Sequence, residues 1–335
     1  MDINKLWKIL KSEPKYRLKQ ANQVVFLDLI ENWQAATVFP LALRDKLNTD
    51  CPLKIDAKLT GSEKSLVCKA LIKFEDGLAA ETVLMRHKDA RNTICVSSQV
   101  GCPLACTFCA TGQMGFKRNL SASEIITQVL FFARYLKQKN ISKVTNIVFM
   151  GMGEPFLNYD NVVSAIKILN DKDGFNLGMR HFSISTIGLP GTLKKIAKDL
   201  PQVNLAISLH ASDDKLRAEL MPATKNFSLK KLFAEIDEYT TLTRRQVMFE
   251  YLLIGGINDR PEQADALARI LNKPLDFLNL IRYNDIGKYK KSSTRAVNEF
   301  KKILEKHRIK FGQRFTFGDD IQAACGQLVA ERGRD

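Results

Sequence analysis

From Thr93 onward, short β-forming runs and longer amphipathic segments alternate about six times, and this constrains the fold more than any other feature. Strand, loop and helix in succession signal a parallel α/β architecture, because parallel neighbours need a crossover long enough to hold a helix. After the strand beginning at Thr93, strands are expected at 144–150, 181–187, 203–209, 247–254 and 277–283. Ser121 and Glu124 stand at capping-box spacing, and Ile125, Val129, Phe132 and Leu136 fall on one helical face. At 203–210, Val203, Leu205, Ile207 and Leu209 alternate with Asn204, Ala206, Ser208 and His210, so the strand's two faces differ in polarity. Six strands are too few for a closed eight-stranded barrel. The expected fold is α/β, a partial (β/α)6 barrel over residues 91–335 with its active site at the C-terminal strand ends.

Two smaller segments precede it. Residues 1–50 read as a helical module, with Leu6, Ile9 and Leu10 at helical spacing and Val25, Leu27, Ile30 and Trp33 beyond Pro14. Residues 51–90 read as a small antiparallel β segment with strands at 53–58, 66–74 and 78–85, the last two joined by a turn at Glu75-Asp76-Gly77. No run of eighteen apolar residues occurs, and the opening residues lack the apolar core of a signal peptide. The expectation is a soluble, cytoplasmic protein with no membrane segment.

The formal charge of +15 would attract polyanions, which makes a nucleic acid a candidate partner. Residues 1–90 carry 15 basic and 12 acidic side chains, so most of the excess lies on the barrel. A basic surface can equally be a solvated one.

Seven cysteines is an odd number, and four of them crowd between Cys95 and Cys109, too tightly for a secreted disulfide framework. Cys102-Pro-Leu-Ala-Cys106-Thr-Phe-Cys109 places three thiols in a loop just after a strand. Three thiolates on a four-iron cluster leave one iron open to the amino and carboxylate groups of a small molecule. A zinc site would favour paired C-x-x-C or nearby histidines, and His87, His181, His210 and His307 lie at no such spacing. The C-x-x-x-C-x-x-C loop with an aromatic before its last cysteine resembles that of radical S-adenosylmethionine enzymes. That resemblance implies a [4Fe-4S] cluster on Cys102, Cys106 and Cys109, with S-adenosylmethionine as the molecule bound. One β/α unit later, Gly151-Met-Gly153-Glu154-Pro155 offers a close backbone approach and a carboxylate where such enzymes contact the methionine end of S-adenosylmethionine. Ser185, Ser208, Leu209, His210 and Asn284 sit at or near later strand ends, positioned for ribose and adenine, though each alone is as readily a turn or barrel residue.

Further motifs narrow the resemblance. Cys95-Val-Ser-Ser-Gln-Val-Gly-Cys102, Gly151-Met-Gly-Glu-Pro, Ser208-Leu209-His210, Leu220-Met-Pro222 and Asp320-Ile-Gln-Ala-Ala-Cys325-Gly-Gln-Leu occur in the order found in the RlmN/Cfr family of RNA adenosine methyltransferases. The chain resembles that family over nearly its whole length. As the resemblance implies, Cys325 takes a methyl group from one S-adenosylmethionine. A second, cleaved at the cluster, then yields the radical that activates this methyl group for addition to adenine. Two S-adenosylmethionine molecules are used per turnover. Cys95 corresponds to the cysteine that releases the covalent RNA adduct through a transient disulfide with Cys325, and Glu81 to the proton acceptor. Taken singly, Cys95 and Cys325 could be buried core thiols, and Cys51 and Cys68 are read as structural.

The implied substrate is an adenosine of 23S rRNA unstacked into the site, with tRNA as a second substrate for some members and an electron donor such as flavodoxin as a further partner. Lys15, Tyr16, Arg17 and Lys19 make the helical module an expected RNA grip, by analogy. One branch of the family methylates carbon 2 of adenosine, while the other methylates carbon 8 and confers antibiotic resistance. Gln99-Val100-Gly101-Cys102 and Glu154-Pro155 stand where the second branch tends to carry Q-C-G-C and E-A, so the carbon 2 branch is expected. Gln322 departs from the family, which usually has aspartate there. Two other classes remain distinct expectations: a radical enzyme acting on a non-RNA substrate would have no use for the Cys95/Cys325 pair, and a non-catalytic RNA-binding protein would release no 5′-deoxyadenosine on reduction.

Overall fold

The structure, a computed structural model, describes residues 1–61, 65–314 and 321–329. Its N-terminal part is helical, as expected, with α1 (Ile3–Leu10), α2 (Tyr16–Asn22) and α3 (Leu41–Asp50). The Asp2 carboxylate caps α1 by accepting from the Asn4 and Lys5 amides, and Ile3, Leu6 and Leu10 bury the inner face. Beyond α2 the chain widens into a π turn over Gln23–Leu27. That turn buries Val24, Val25 and Phe26, and rotates Leu27 outward to 46% exposure. The apolar stripe expected through Leu27 is broken there, and Trp33 is buried instead in a separate 3-10 turn. Of the basic residues expected to grip RNA, Arg17 lies against the Tyr16 and Phe39 rings and donates to the Val38 carbonyl, while Lys19 pairs with Asp173.

The chain then enters the sheet through β1 (Ala57–Thr60), β2 (Val67–Lys73), β3 (Ala79–Arg86) and β4 (Asn92–Cys95), each antiparallel to the one before. Asp76 accepts from the Leu78 amide in the turn between β2 and β3. These strands form no separate sheet. β4 continues in parallel register into β7, so they extend the barrel sheet. The strand expected at 53–58 starts later, at Ala57, and the Leu53 carbonyl accepts from Arg134.

A short antiparallel pair follows, β5 (Gln99–Gly101) and β6 (Phe116–Asn119), with α4 (Ala110–Gln113) between them and α5 (Ala122–Gln138) after. Succeeding units run β7 (Asn146–Phe149), α6 (Tyr159–Asn170), β8 (Phe182–Thr186), α7 (Thr192–Asp199) and β9 (Asn204–Ser208). The chain finishes with α8 (Asp214–Leu220), α9 (Leu229–Thr243), β10 (Val247–Leu253), α10 (Pro261–Ile270), β11 (Asp276–Arg282), α11 (Thr294–Lys306) and β12 (Phe311–Gln313). The sheet order is β1-β2-β3-β4-β7-β8-β9-β10-β11-β12, parallel from β4 onward. All six expected parallel strands are present in a partial barrel. Two features were not anticipated, β12 and the β5/β6 pair. Ser121 and Glu124 form the expected capping box on α5, whose Ile125, Val129, Phe132 and Leu136 are buried against the sheet. No described helix is long and apolar enough to cross a membrane.

One buried cation joins the N-terminal part to the barrel. Arg134, on α5, donates to the Leu53 carbonyl at 2.8 Å and to the Ile30 carbonyl at 2.6 Å. Replacing Arg134 with Met should leave both carbonyls unpartnered, at about 1–3 kcal/mol each. A lower denaturation midpoint with an unchanged denaturant slope is expected, and an unchanged midpoint would remove Arg134 from this role.

Candidate active site

The three-cysteine loop is framed by β5 and β6, whose base closes through the Cys102 amide on the Gly115 carbonyl at 3.1 Å. Gly101 makes this closure possible. Its φ is +74°, and a Cβ there would lie 1.8 Å from the Gly115 oxygen. The Cys109 amide donates to Cys106, and α4 follows directly. Cys102, Cys106 and Cys109 thus come to one cavity of about 170 Å³, lined also by Leu104, Phe108, Gly151, Gly153, Glu154, Ser185, Ile187, Ser208 and His210. Burial pushes the Cys102 thiol up to about 12, and raises Cys106 and Cys109 as well. The neighbouring sulfurs of Cys109 and Cys102 push Cys106 further. Three thiolates here would repel one another in apolar surroundings, and a cationic iron–sulfur centre would supply the missing charge. Among the described residues no three of His, Cys, Asp and Glu stand close enough to hold a single ion. Three cysteines on one cavity suit a cluster, which takes each thiolate at a separate corner.

The glycine-rich turn after β7 forms one wall. Gly153 has φ +98°, and a Cβ on it would strike Gln99, so its openness serves packing of the turn on the β5 strand as well as access to a ligand. Glu154 is buried and ties two strand ends together, Oε1 accepting from the Phe156 amide and Oε2 from the Ile187 amide. Burial nevertheless pushes its carboxyl up to about 7. The hydroxyls of Ser185 and Ser208 approach to 3.4 Å on the β8 and β9 ends. His210 has a left-handed backbone, φ +55°, that turns the chain at the end of β9. Its Nδ1 accepts from the Leu252 amide, leaving the proton on Nε2, and burial lowers it to about 3, so the ring is neutral. Leu209 is fully buried and does not line the cavity; its amide donates to the Glu250 carbonyl.

Cys325 lies on a strap, residues 321–329, drawn over the mouth of the barrel. The Gly326 carbonyl accepts from the Ala110 amide at 2.8 Å, and the Leu328 carbonyl from the Thr111 hydroxyl at 2.7 Å. Both donors are on α4, immediately after Cys109. Cys325 consequently lines the cavity of the three cysteines and also a second, smaller one with Cys95, Met150 and Arg314. Cys95 is buried and its thiol is pushed up to about 12, mainly by burial and secondarily by Cys325. Both are free thiols. Asn284 differs from expectation. It belongs to the second cavity, and its Nδ2 donates to the Cys325 carbonyl at 2.9 Å, so it holds the strap rather than the first cavity. Glu81 is buried beside Lys69 at 2.8 Å and accepts from the Val329 amide at 2.8 Å, so it too grips the strap and lines neither cavity. Gln322 takes a left-handed backbone, φ +52°, a conformation aspartate adopts more readily. Asp320, which opens the strap motif, lies outside the described residues.

Sequence reasoning missed three residues. Arg314 lines both cavities, donates to the Met150 sulfur at 3.5 Å, and is held firmly protonated, chiefly by Cys325. Glu250, which accepts from Asn279 at 2.9 Å, interrupts the otherwise apolar β10 strand, and that interruption was a readable signal. Arg217 is buried beneath the β8 end, donating to the Ile187 carbonyl at 2.7 Å. Neither arginine stands in any pattern that marks it out among 51 Lys and Arg residues.

Residues 96–268 match the Radical SAM superfamily. The chain is 41% identical over 338 residues to a probable dual-specificity RNA methyltransferase RlmN of Dictyoglomus thermophilum, covering 98% of this chain and 95% of that one. It is 45% identical over 267 residues to the ribosomal RNA large subunit methyltransferase N of Nitrosopumilus maritimus, covering 78% and 76%. The crystal structure of a radical SAM methyltransferase from Sphaerobacter thermophilus superposes with a TM-score of 0.94 at 39% identity, covering 99% and 98%.

Glu154 gives the site a testable pH dependence. A carboxyl raised to about 7 holds its proton more tightly folded than unfolded, so its contribution to stability declines as pH rises from the ordinary carboxyl range to 7 and is constant above. With bound groups removed, the stability difference between the parent and Glu154→Gln should fall by roughly 2–3 kcal/mol between pH 5 and 8. A flat difference would place its ionisation at the usual carboxyl pH.

Proposed function

This chain belongs to the RlmN/Cfr family of radical S-adenosylmethionine RNA adenosine methyltransferases, and we propose that it methylates carbon 2 of adenosine 2503 in 23S rRNA, with adenosine 37 of tRNA as a second substrate. The observation that carries this reading is the docking of the strap on α4, which lets one thiol, Cys325, line both the cavity of three cysteines and the cavity of Cys95. An enzyme acting on a small molecule would need no such shared thiol.

Cys102, Cys106 and Cys109 would hold the [4Fe-4S] cluster. When bound, that cluster supplies the electron that cleaves S-adenosylmethionine. Glu154, the 151–153 turn, Ser185, Ser208 and His210 bind and orient S-adenosylmethionine against it, the neutral His210 offering its Nε2 proton. The Cys325 sulfur accepts a methyl group from a first S-adenosylmethionine. A carbon–sulfur bond forms as the sulfonium bond breaks, S-adenosylhomocysteine leaves, and the thiol proton goes to solvent. Arg314 stabilises negative charge on the attacking sulfur. The second S-adenosylmethionine of the turnover activates the methyl group now on Cys325 for attachment to the adenine ring. Glu81, beside the strap that carries Cys325, corresponds to the family's acceptor of the ring proton. Cys95 then attacks the Cys325 sulfur, its thiol proton going to solvent. A disulfide forms as the bond from that sulfur to the carbon on adenine breaks, that carbon takes a proton to become the methyl group, and an external reductant returns the disulfide to two thiols. Burial holds the Cys95 thiol protonated, so the attack requires that it first lose its proton. A cytoplasmic location and an external electron donor such as flavodoxin belong to the same reading.

Mass spectrometry of digested 23S rRNA after reaction should show 2-methyladenosine, and 8-methyladenosine would move the chain to the other branch. Cys325→Ala should abolish methyl transfer to both RNA and protein. Cys95→Ala should accumulate a covalent enzyme–RNA adduct on denaturing gels, and clean turnover by that variant would remove Cys95 from the release step.

A further inference from the structure

The loop after β11, residues 284–291, touches both cysteine-bearing segments. Toward the three-cysteine loop, the Tyr289 hydroxyl donates to the Thr107 hydroxyl at 2.8 Å, between Cys106 and Phe108. Toward the strap, Asn284 donates to the Cys325 carbonyl and the Asp285 carbonyl accepts from Gln327 at 3.3 Å. The inner side of this loop is apolar. Ile286 and Tyr289 pack on the cluster of Leu104, Ile187, Met221, Leu252 and Tyr283, several of which line the first cavity. Its far end is pinned to β10 by the Gly255 amide on the Lys290 carbonyl, at 2.9 Å, and by a bridge between Ile254 and Lys291.

The outer side is basic. Lys288, Lys290 and Lys291 are exposed, and Arg282 to Arg295 hold five basic residues against one acidic, Asp285. Among the described residues Lys288 and Lys290 make no ion pair; the Lys288 ammonium rests over the Tyr289 ring at 5.7 Å. Lysine side chains cost rotamer entropy to order, and a loop already fixed at four points leaves only those side chains to be ordered when a partner binds. Arg17 and Lys19 of the N-terminal module are by contrast engaged within the protein.

We infer that residues 284–291 form a phosphate-binding shelf on the rim of the active site, where Lys288 and Lys290 grip the RNA backbone beside the adenosine presented to Cys325. The inference rests on the RNA methyltransferase reading and adds the surface that reading lacks. RNA is favoured over an acidic protein because the shelf shares two hydrogen bonds with the strap that carries Cys325, the residue to which RNA is joined. Backbone charge neutralisation of this kind is independent of base sequence and falls with salt.

The test uses cluster-loaded enzyme and an RNA hairpin carrying the target adenosine. In the double variant Lys288→Gln/Lys290→Gln the dissociation constant should rise at least about fivefold, and the slope of log affinity against log salt should flatten by about 1.4. The RNA concentration for half-maximal methylation should rise with it, at an iron content equal to the parent's. Lys288→Arg/Lys290→Arg should restore both affinity and slope. Unchanged affinity and slope in the glutamine variant would overturn the shelf, as would equal loss in the arginine variant, which would indicate loop damage rather than lost charge. Slower cluster reduction by a protein donor, with RNA affinity intact, would overturn it in favour of an acidic protein. If the parent enzyme itself neither binds nor methylates RNA, the underlying reading fails instead.

Discussion

A single backbone hydrogen bond, from the Ala110 amide to the Gly326 carbonyl, sets the geometry on which the chemistry of this protein depends. Its donor is one residue beyond Cys109 and its acceptor one residue beyond Cys325. Two sulfur sites more than two hundred positions apart in sequence are thereby held within one cavity, with no disulfide between them. The Thr111 hydroxyl, Asn284 and Glu81 reinforce the same contact from three directions. Losing any one of these would leave the strap attached but Cys325 less well placed, and for the methyl transfer proposed above positional error at that sulfur would be costly.

The sheet provides the surface on which that contact forms. Parallel strands bring their C-terminal ends to one side, and there the residues switch from apolar to polar: Glu154 after β7, Ser185 in β8, Ser208 and His210 at the end of β9, Glu250 within β10. Glu250 is held by strand pairing on both flanks, against Ser208 of β9 and Asn279 of β11, and Ser185 is paired with Ala206 of β9. The three-cysteine loop and the strap are irregular backbone laid across this rigid rim, a division of labour that lets the binding loops be specific while the core pays for their order.

How far the sequence disclosed this follows from the length scale of each signal. The parallel strands and α5 were legible because their apolar patterns run over many residues, and the three thiols because their spacing is local. Asn284 and Glu81 were legible as polar residues near the centre but not as anchors of the strap, since their partners Cys325 and Val329 lie 41 and 248 residues away. Arg314 sits beside a three-residue strand and gains its meaning only from the convergence of Cys95, Cys325 and Met150 around it. The antiparallel strands were read correctly as strands, but their continuity with the barrel depends on the pairing of β3 with β4, which no local pattern announces.

The strap also carries a consequence for biosynthesis. Every group it docks on, from Lys69 and Glu81 through Thr111 to Asn284, precedes it along the chain, at separations reaching 253 residues. During translation the barrel, its three thiols and the helical module can pack while the Cys325 segment is still unmade, since domains fold as they emerge. On the function proposed above, the nascent protein is a folded scaffold without its methyl acceptor until the Cys325 segment has docked.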